Sequence, residues 1–195
     1  MNTCDNLYNK DLKKEPSIKL SSTTTKLIWK YSMSENVRSV AISSDGNYIA
    51  IGTNESDINL FDKSSSSPLW SFKANAYTVP SIAISSDGTY IVAGTGSIVE
   101  LYHNIYLFEK SSSTPLWSNT TGSSIESVDI SSDGNYIVAA SHDRNLYLFN
   151  KSSSKPLWKY SDGQLRPTAI SSDGNYIVTA NNEVVYLFDK SSSIP

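Results

Sequence analysis

The side chains that could do chemistry in this chain are few and scattered. Its 195 residues include one cysteine, Cys4, and two histidines, His103 and His142. A structural zinc site needs about four converging ligands, and these three residues stand at unrelated positions. Neither a Gly-x-Ser-x-Gly nucleophile motif nor a Gly-x-x-x-x-Gly-Lys phosphate loop occurs. The sequence therefore predicts no catalytic residue, no metal site and no cofactor, and it predicts that both histidines lie in exposed loops.

Charge and hydropathy exclude several classes of protein. The formal net charge of −3 gives no basic surface for nucleic acid. No run of apolar residues approaches the length of a membrane-spanning helix, so membrane insertion is not predicted. Residues 1–20 lack the hydrophobic segment of a secretory signal, which favours a cytoplasmic location. Three glycosylation sequons, at Asn54, Asn119 and Asn150, arise readily by composition in a chain rich in Ser and Asn.

Two short sequence motifs each recur four times and alternate along the chain. The first contains Ser-Ser-Asp-Gly, with its Asp-Gly pairs at residues 45, 87, 133 and 173, which are 42, 46 and 40 residues apart. The second begins with Leu-Phe, at residues 60, 107, 148 and 187. Self-similarity at such a period is the signature of a repeat architecture.

Each repeat predicts four short strands. Asp-Gly between apolar β-formers is a strong hairpin signal, and in the first repeat it separates the predicted strands Val37–Ser43 and Tyr48–Thr53. Ile58–Asp62 and Pro68–Lys73 follow, with the proline at the start of an edge strand. Nothing in the repeat has helical period. Four strands in about 40 to 45 residues form one blade of a β-propeller, so we predict an all-β chain of four-stranded antiparallel blades.

The two ends of the repeat region complement each other. The stretch 26–32 matches the outer-strand stretch 155–161, and the last repeat stops before its own outer strand. We therefore predict a polar arm over 1–24 and a propeller over 25–195, whose repeats are 37–78, 79–124, 125–164 and 165–195. In this prediction strand 26–32 completes the last sheet and closes four blades into a ring.

Two alternatives to that closure remain open. Two chains could build one eight-bladed ring, each contributing its N-terminal strand to the other, so the chain is predicted as a monomer or a strand-exchanged homodimer. The chain could also be part of a longer propeller. Repeat 2 carries about five extra residues around 97–104, between its second and third strands.

The repeat phrases resemble those of known propeller families. Val40 to Ile49, followed by Asn59-Leu60-Phe61-Asp62, resembles a WD-repeat blade, with Phe-Asp where that family often has Trp-Asp. The stretch from Asp62 to Trp70 is similar to the repeat of quinoprotein-like (PQQ-type) propellers. The Gly-His pair of many WD repeats is missing from all four units. The resemblance implies a propeller without the buried hydrogen-bond network of the typical WD blade.

Two recurring residue types have structural explanations. The aspartates of the Asp-Gly pairs are predicted to serve the turns rather than a metal ion, because one residue per blade cannot converge on one ion. Four tryptophans stand at equivalent positions and are predicted to pack on the outer strands: Trp29, Trp70, Trp117 and Trp158.

Residues that differ between the repeats are the candidate site. Arg38, Glu126 and Arg166 occupy equivalent positions just after the loops between blades, and His142 and Asn181 lie in loops on the same side. Charged, non-repeating residues near the ring axis suit a polar ligand or a peptide. The alternative is that Arg38, Glu126 and Arg166 neutralise one another across a narrow channel.

These observations predict a non-enzymatic binding or scaffold module for a protein or peptide partner. One alternative is a quinoprotein-like enzyme with an axial site. Another is a surface or extracellular protein that binds glycans or other cells, with which the low charge and the sequons are compatible.

Overall fold

Fifteen antiparallel strands form four sheets in the computed structural model, which describes residues 25–96 and 103–192. Blade 1 contains β1–β4, blade 2 β5–β8, blade 3 β9–β12 and blade 4 β13–β15, each in sequence order. The strands are β1 Val37–Ile42, β2 Tyr48–Thr53, β3 Asp57–Asp62, β4 Pro68–Lys73, β5 Thr78–Ile84, β6 Tyr90–Gly96, β7 Asn104–Glu109, β8 Trp117–Thr120, β9 Ile125–Ile130, β10 Tyr136–Ser141, β11 Asn145–Asn150, β12 Trp158–Ser161, β13 Thr168–Ile170, β14 Tyr176–Ala180 and β15 Val185–Asp189. The predicted arm over 1–24, and most of the extra segment of repeat 2, lie outside the described residues.

The Asp-Gly turns join the first two strands of each blade, as predicted. In blade 1 the Asp45 carboxylate accepts hydrogen bonds from the Ser43 hydroxyl at 2.6 Å and from the Asn47 backbone N–H at 2.9 Å. These two bonds hold the pKa of Asp45 below its ordinary value. The same bonds recur in the other three blades, which confirms that these aspartates are turn residues.

The core lies between the blades rather than inside any one of them. One cluster joins Ile58 and Leu60 of blade 1 to Ile91 and Phe108 of blade 2, and all four side chains are buried. Corresponding clusters join blade 2 to blade 3 and blade 3 to blade 4. Both faces of blades 2 and 3 are therefore covered, which accounts for the nearly continuous apolar runs in their central strands.

The outer-strand tryptophans attach each blade to the next. Trp70 of β4 donates its indole N–H to the backbone carbonyl of Lys110 in blade 2 at 2.9 Å, and its ring lies 5.3 Å from that of Phe108. Trp117 and Trp158 make the same two contacts with blades 3 and 4. The predicted packing role is confirmed, and each indole bond contributes about 1 kcal/mol.

The N-terminal segment does not complete the last sheet in this structure. Residues 25–33 form no strand, and within the described residues β15 pairs with β14 alone. Instead Trp29 stacks on Phe61 of blade 1 at 5.6 Å and donates to the Lys63 carbonyl at 2.8 Å. The predicted strand 26–32 is absent because a strand needs a ladder partner, and β15 lies at the other end of the row of blades. Closure of a four-bladed ring is not confirmed.

Among the described residues, the first and last blades each leave one apolar face exposed. Val40 of blade 1 is 67% exposed, whereas its equivalent Ile82 in blade 2 is 7% exposed. Leu187 of blade 4 is 63% exposed, whereas its equivalent Leu60 is fully buried. The four blades thus form an open row, with an N-terminal face on blade 1 and a C-terminal face on blade 4.

Candidate functional site

The candidate residues lie along one edge of the row of blades, here called the rim. The first strands of successive blades contact one another, and the rim is the edge at which these strands begin. Antiparallel pairing brings the ends of β2, β6, β10 and β14 to the same edge. Because Arg38 is the second residue of β1 and Glu126 the second residue of β9, both belong to the rim, together with the turns that follow β10 and β14.

The structure brings two of the predicted site residues into contact. His142 Nε2 lies 2.7 Å from Glu126 Oε2, and both side chains remain about two-fifths exposed. The His142 backbone N–H donates to the Ser124 carbonyl, which fixes the turn that holds the imidazole. Since Glu126 pairs with His142, the predicted neutralisation of Glu126 by Arg38 and Arg166 is not observed. Within the described residues no ion pair joins these three side chains.

Arg166 and Asn181 are neighbours on blade 4, but their side chains make different contacts. The Arg166 backbone N–H bonds the Ala180 carbonyl, while its side chain is exposed and donates to Gln164 Oε1 at 3.3 Å. Asn181 Oδ1 accepts from the Glu183 and Val184 backbone N–H groups at 3.0 and 2.8 Å. Asn181 therefore shapes its turn, whereas the Arg166 side chain is exposed to solvent, as is that of Arg38.

Two open polar clefts lie on the rim. One, of about 610 Å³, lies on blade 1 beside the connection from β4 to β5, and its lining includes Asn54, Lys73 and Tyr77. The other, of about 320 Å³, lies on blade 4, and Asn181 lines it together with Gln164 and Glu183. Sequence reasoning singled out neither Lys73, which ends β4, nor Tyr77, which lies in the connection from β4 to β5.

Two carboxylate–tyrosine pairs on the rim were missed by sequence reasoning. Tyr147 donates to Asp143 Oδ2 at 2.6 Å, and Tyr186 donates to Asp162 Oδ2 at 2.6 Å. Burial and the Asp143 carboxylate raise the pKa of Tyr147, and the bond to Asp162 raises that of Tyr186. A signal that could have found them is the recurring Tyr-Leu-Phe motif, which contains Tyr147 and Tyr186.

The prediction for His103 was wrong. Its side chain is 4% exposed, not exposed in a loop. The backbone N–H of Thr121 bonds the His103 carbonyl, so the loop after β8 covers the residue, and its Nδ1 lies 3.5 Å from Ser124 Oγ.

Over residues 25–96 and 103–192, no group of three or more His, Cys, Asp or Glu side chains is arranged to hold a metal ion. Over the same ranges, no helix has the length and apolar character needed to cross a membrane.

Repeated antiparallel sheets of three or four strands, packed face to face with a variable rim, define a protein of the β-propeller class. The family model described as "WD domain, G-beta repeat" matches residues 25–62, 66–103 and 113–150, more than half of the chain. The chain belongs to the WD-repeat family. A search of curated proteins found no match. The similarity to quinoprotein-type blades stays a prediction.

Proposed function

We propose that this chain is a non-enzymatic scaffold module that binds a protein through a polar, charged peptide segment laid along the rim. Membership of the WD-repeat family supports this function, because repeats of this kind typically mediate protein–protein interaction. The observation that carries the proposal is that the structural contacts repeat from blade to blade, whereas the residues of the rim do not. Turns, core and tryptophan contacts repeat from blade to blade, while equivalent rim positions hold Arg38, Pro80, Glu126 and Arg166.

The rim chemistry suits a peptide that carries both charges. The exposed guanidinium groups of Arg38 and Arg166 can each form bidentate bonds with a carboxylate, which gives direction as well as attraction. Glu126, with His142 beside it, supplies an acceptor for a lysine, an arginine or a backbone N–H. The Asn181 turn forms part of a wall of the blade 4 cleft, next to Arg166.

A selection from a library of short random peptides tests this function. Peptides that bind the immobilised chain are measured against Arg38→Ala, Arg166→Ala and Glu126→Ala. The matched control is Lys155→Ala, which also removes one exposed charge but lies in the loop between β11 and β12, on the opposite edge.

The expected result is that at least one rim variant weakens binding about tenfold, as for an interface hot spot, while the control does not. Peptides that bind all four variants equally would contradict a rim site. Turnover of a substrate that is lost in Arg38→Ala would overturn the non-enzymatic assignment.

A further inference from the structure

The three interfaces between blades share one set of contacts. At the first, the Tyr48 ring of blade 1 lies against Gly88 of blade 2, with Lys110 Nζ 4.6 Å from the ring centroid. The Ser44 backbone N–H donates to the Ser86 carbonyl at 3.0 Å. At the second interface, Tyr90 lies against Gly134 and Lys151, and the Ser86 backbone N–H donates to the Ser132 carbonyl. At the third, Tyr136 lies against Gly174 and Lys190, and the Ser132 backbone N–H donates to the Ser172 carbonyl.

The two uncovered faces carry the two halves of this same contact set. Tyr176, which corresponds to Tyr48, is 52% exposed on the C-terminal face. Gly46 corresponds to Gly88, and a Cβ built on it meets nothing within 4 Å. Lys63, the equivalent of Lys110, is exposed on blade 1. If the backbone hydrogen bonds between equivalent serines continued for one more blade, the Ser172 N–H would donate to the Ser44 carbonyl. Every component of a fourth interface is therefore present, on opposite ends of the chain.

The N-terminal segment already occupies the place of a preceding blade's outer strand. Trp29 and Tyr31 contact Phe61 of blade 1, with centroids 5.6 and 5.1 Å apart. Trp158 and Tyr160 contact Phe188 of blade 4 at 5.7 and 4.9 Å in the same way. The matched family segment 25–62 likewise joins this outer-strand stretch to β1–β3. What the segment lacks, among the described residues, is the third strand with which an outer strand pairs.

An apolar groove marks the position of that missing strand. It measures about 290 Å³, and its lining includes Trp29, Tyr31, Val40, Ile51 and Phe61. On the C-terminal face, Val185 and Leu187 of β15 are 72% and 63% exposed, while their equivalents in the other three blades are fully buried. The groove and β15 are complementary in chemistry, and contacts of this kind already hold the blades together.

Among the residues that the structure describes, both faces remain exposed, although the blades pack by one repeated contact set. Eight blades lie within the range of closed propellers, and two copies supply eight. A head-to-tail interface that closes on itself gives a symmetric ring.

We propose that the C-terminal face of one copy docks on the N-terminal face of a second copy, and the reverse, so that two chains form an eight-bladed ring. β15 of one copy pairs with the N-terminal segment of the other. The register follows the internal pairs Leu60↔Trp70, Leu107↔Trp117 and Leu148↔Trp158, so Leu187 lies opposite Trp29 and Val185 opposite Tyr31. Tyr176 of one copy then covers Gly46 of the other beneath the Lys63 ammonium group.

Disulfide trapping between two single-cysteine variants tests the proposed register. Position 184 corresponds to Asn145 and position 32 to Ser161, and the side chains of Asn145 and Ser161 are hydrogen bonded across the strands. In a Cys4→Ser background, Ser32→Cys carries one tag and Val184→Cys another, and the two chains are co-expressed, purified through both tags and oxidised. A control pair joins Val184→Cys to Ser118→Cys, an exposed position on β8, which is already paired with β7.

The expected result is a disulfide-linked heterodimer for the 32–184 pair and none for the control pair. Absence of this cross-link, or equal cross-linking of the control, would overturn the proposal. Two further outcomes of a chain carrying both cysteines would also overturn it. A cross-link within one chain means that the chain closes on itself, and a ladder of longer products means an open array. Each of these outcomes leaves the rim function to its own peptide test.

Discussion

Gly46 and Gly88 occupy equivalent turns with the same backbone conformation but different neighbours. Their φ angles are +68° and +70°, a region that L side chains adopt at a cost of about 1–2 kcal/mol. A Cβ on Gly88 would lie 2.3 Å from Tyr48 Cδ2, whereas a Cβ on Gly46 would meet nothing within 4 Å. In a Leu187→Asp background, which blocks the proposed pairing, Gly88→Ala should therefore lower the free energy of unfolding by about 1–3 kcal/mol more than Gly46→Ala.

Urea unfolding of the two glycine variants measures that difference. With Leu187 intact, Gly46→Ala should instead weaken the dimer, because the added methyl group meets Tyr176 of the second copy. Equal losses in the Leu187→Asp background would contradict the steric role assigned to Tyr48.

The turn aspartates make the fold sensitive to acid. Hydrogen bonds from Ser43 to Asp45, and from Ser171 to Asp173, hold both pKa values below the ordinary aspartate value. A lowered folded-state pKa contributes stability above the unfolded-state pKa, and this stability is lost as the pH falls through the folded-state pKa. The free energy of unfolding should thus fall between about pH 5 and pH 2. The fall should be smaller in Ser43→Ala/Ser171→Ala, and an equally steep fall in that variant would contradict this assignment.

The sequence predicted which residues repeat, but not which non-repeating residues meet. Turn aspartates and tryptophans were assigned correctly, because each chemical role recurs in several blades. The contact between Glu126 and His142, and the burial of His103, depend on single loops. No periodic signal in the sequence reports on such a loop.

At the scale of strands, local sequence signals predicted the limits of strands within a blade accurately. The predicted strands Tyr48–Thr53 and Pro68–Lys73 are observed with the same limits, since an Asp-Gly turn or a proline marks their starts. The stretch 26–32 has the outer-strand pattern but forms no strand here. A pattern determines which side chains pack, whereas strand formation also requires a neighbour with free backbone groups.

Hydrogen–deuterium exchange at a series of protein concentrations tests whether the two unpaired elements pair with each other. If β15 joins the N-terminal segment of a second copy, amides of residues 27–31 and of β15 should become more protected as the concentration rises, because dimer forms by mass action. Amides of β11 and β12, which pair within blade 3, serve as the control and should not change. Protection of residues 27–31 and β15 that is independent of concentration would contradict pairing between copies.

At the scale of the whole molecule, the repeat predicted the blade but not the way in which the row closes. Closure depends on the angle between successive blades. That angle is set by side-chain volumes in the interfaces, such as the close approach of Val79 to Gly52 and of Ile125 to Gly94. Near-identical repeats are compatible with several ring sizes, so only the packed structure distinguishes an open row of four blades from a closed ring.

The uncovered faces are the central feature of the whole molecule. Two substitutions compare an exposed leucine on such a face with an exposed leucine elsewhere. Leu187 is 63% exposed on the C-terminal face, while Leu157 is 54% exposed at a position where blades 1 and 2 also expose a leucine. Leu187→Asp should prevent assembly without unfolding the chain, because the side chain is exposed in the single copy. Leu157→Asp should leave assembly unchanged.

Light scattering behind a sizing column, applied to the wild-type chain and these two variants, tests the account most directly. We expect the wild type and Leu157→Asp at twice the chain mass of 21.4 kDa, and Leu187→Asp at 21.4 kDa. A wild-type chain that stays at 21.4 kDa throughout a concentration series would contradict the two-copy ring.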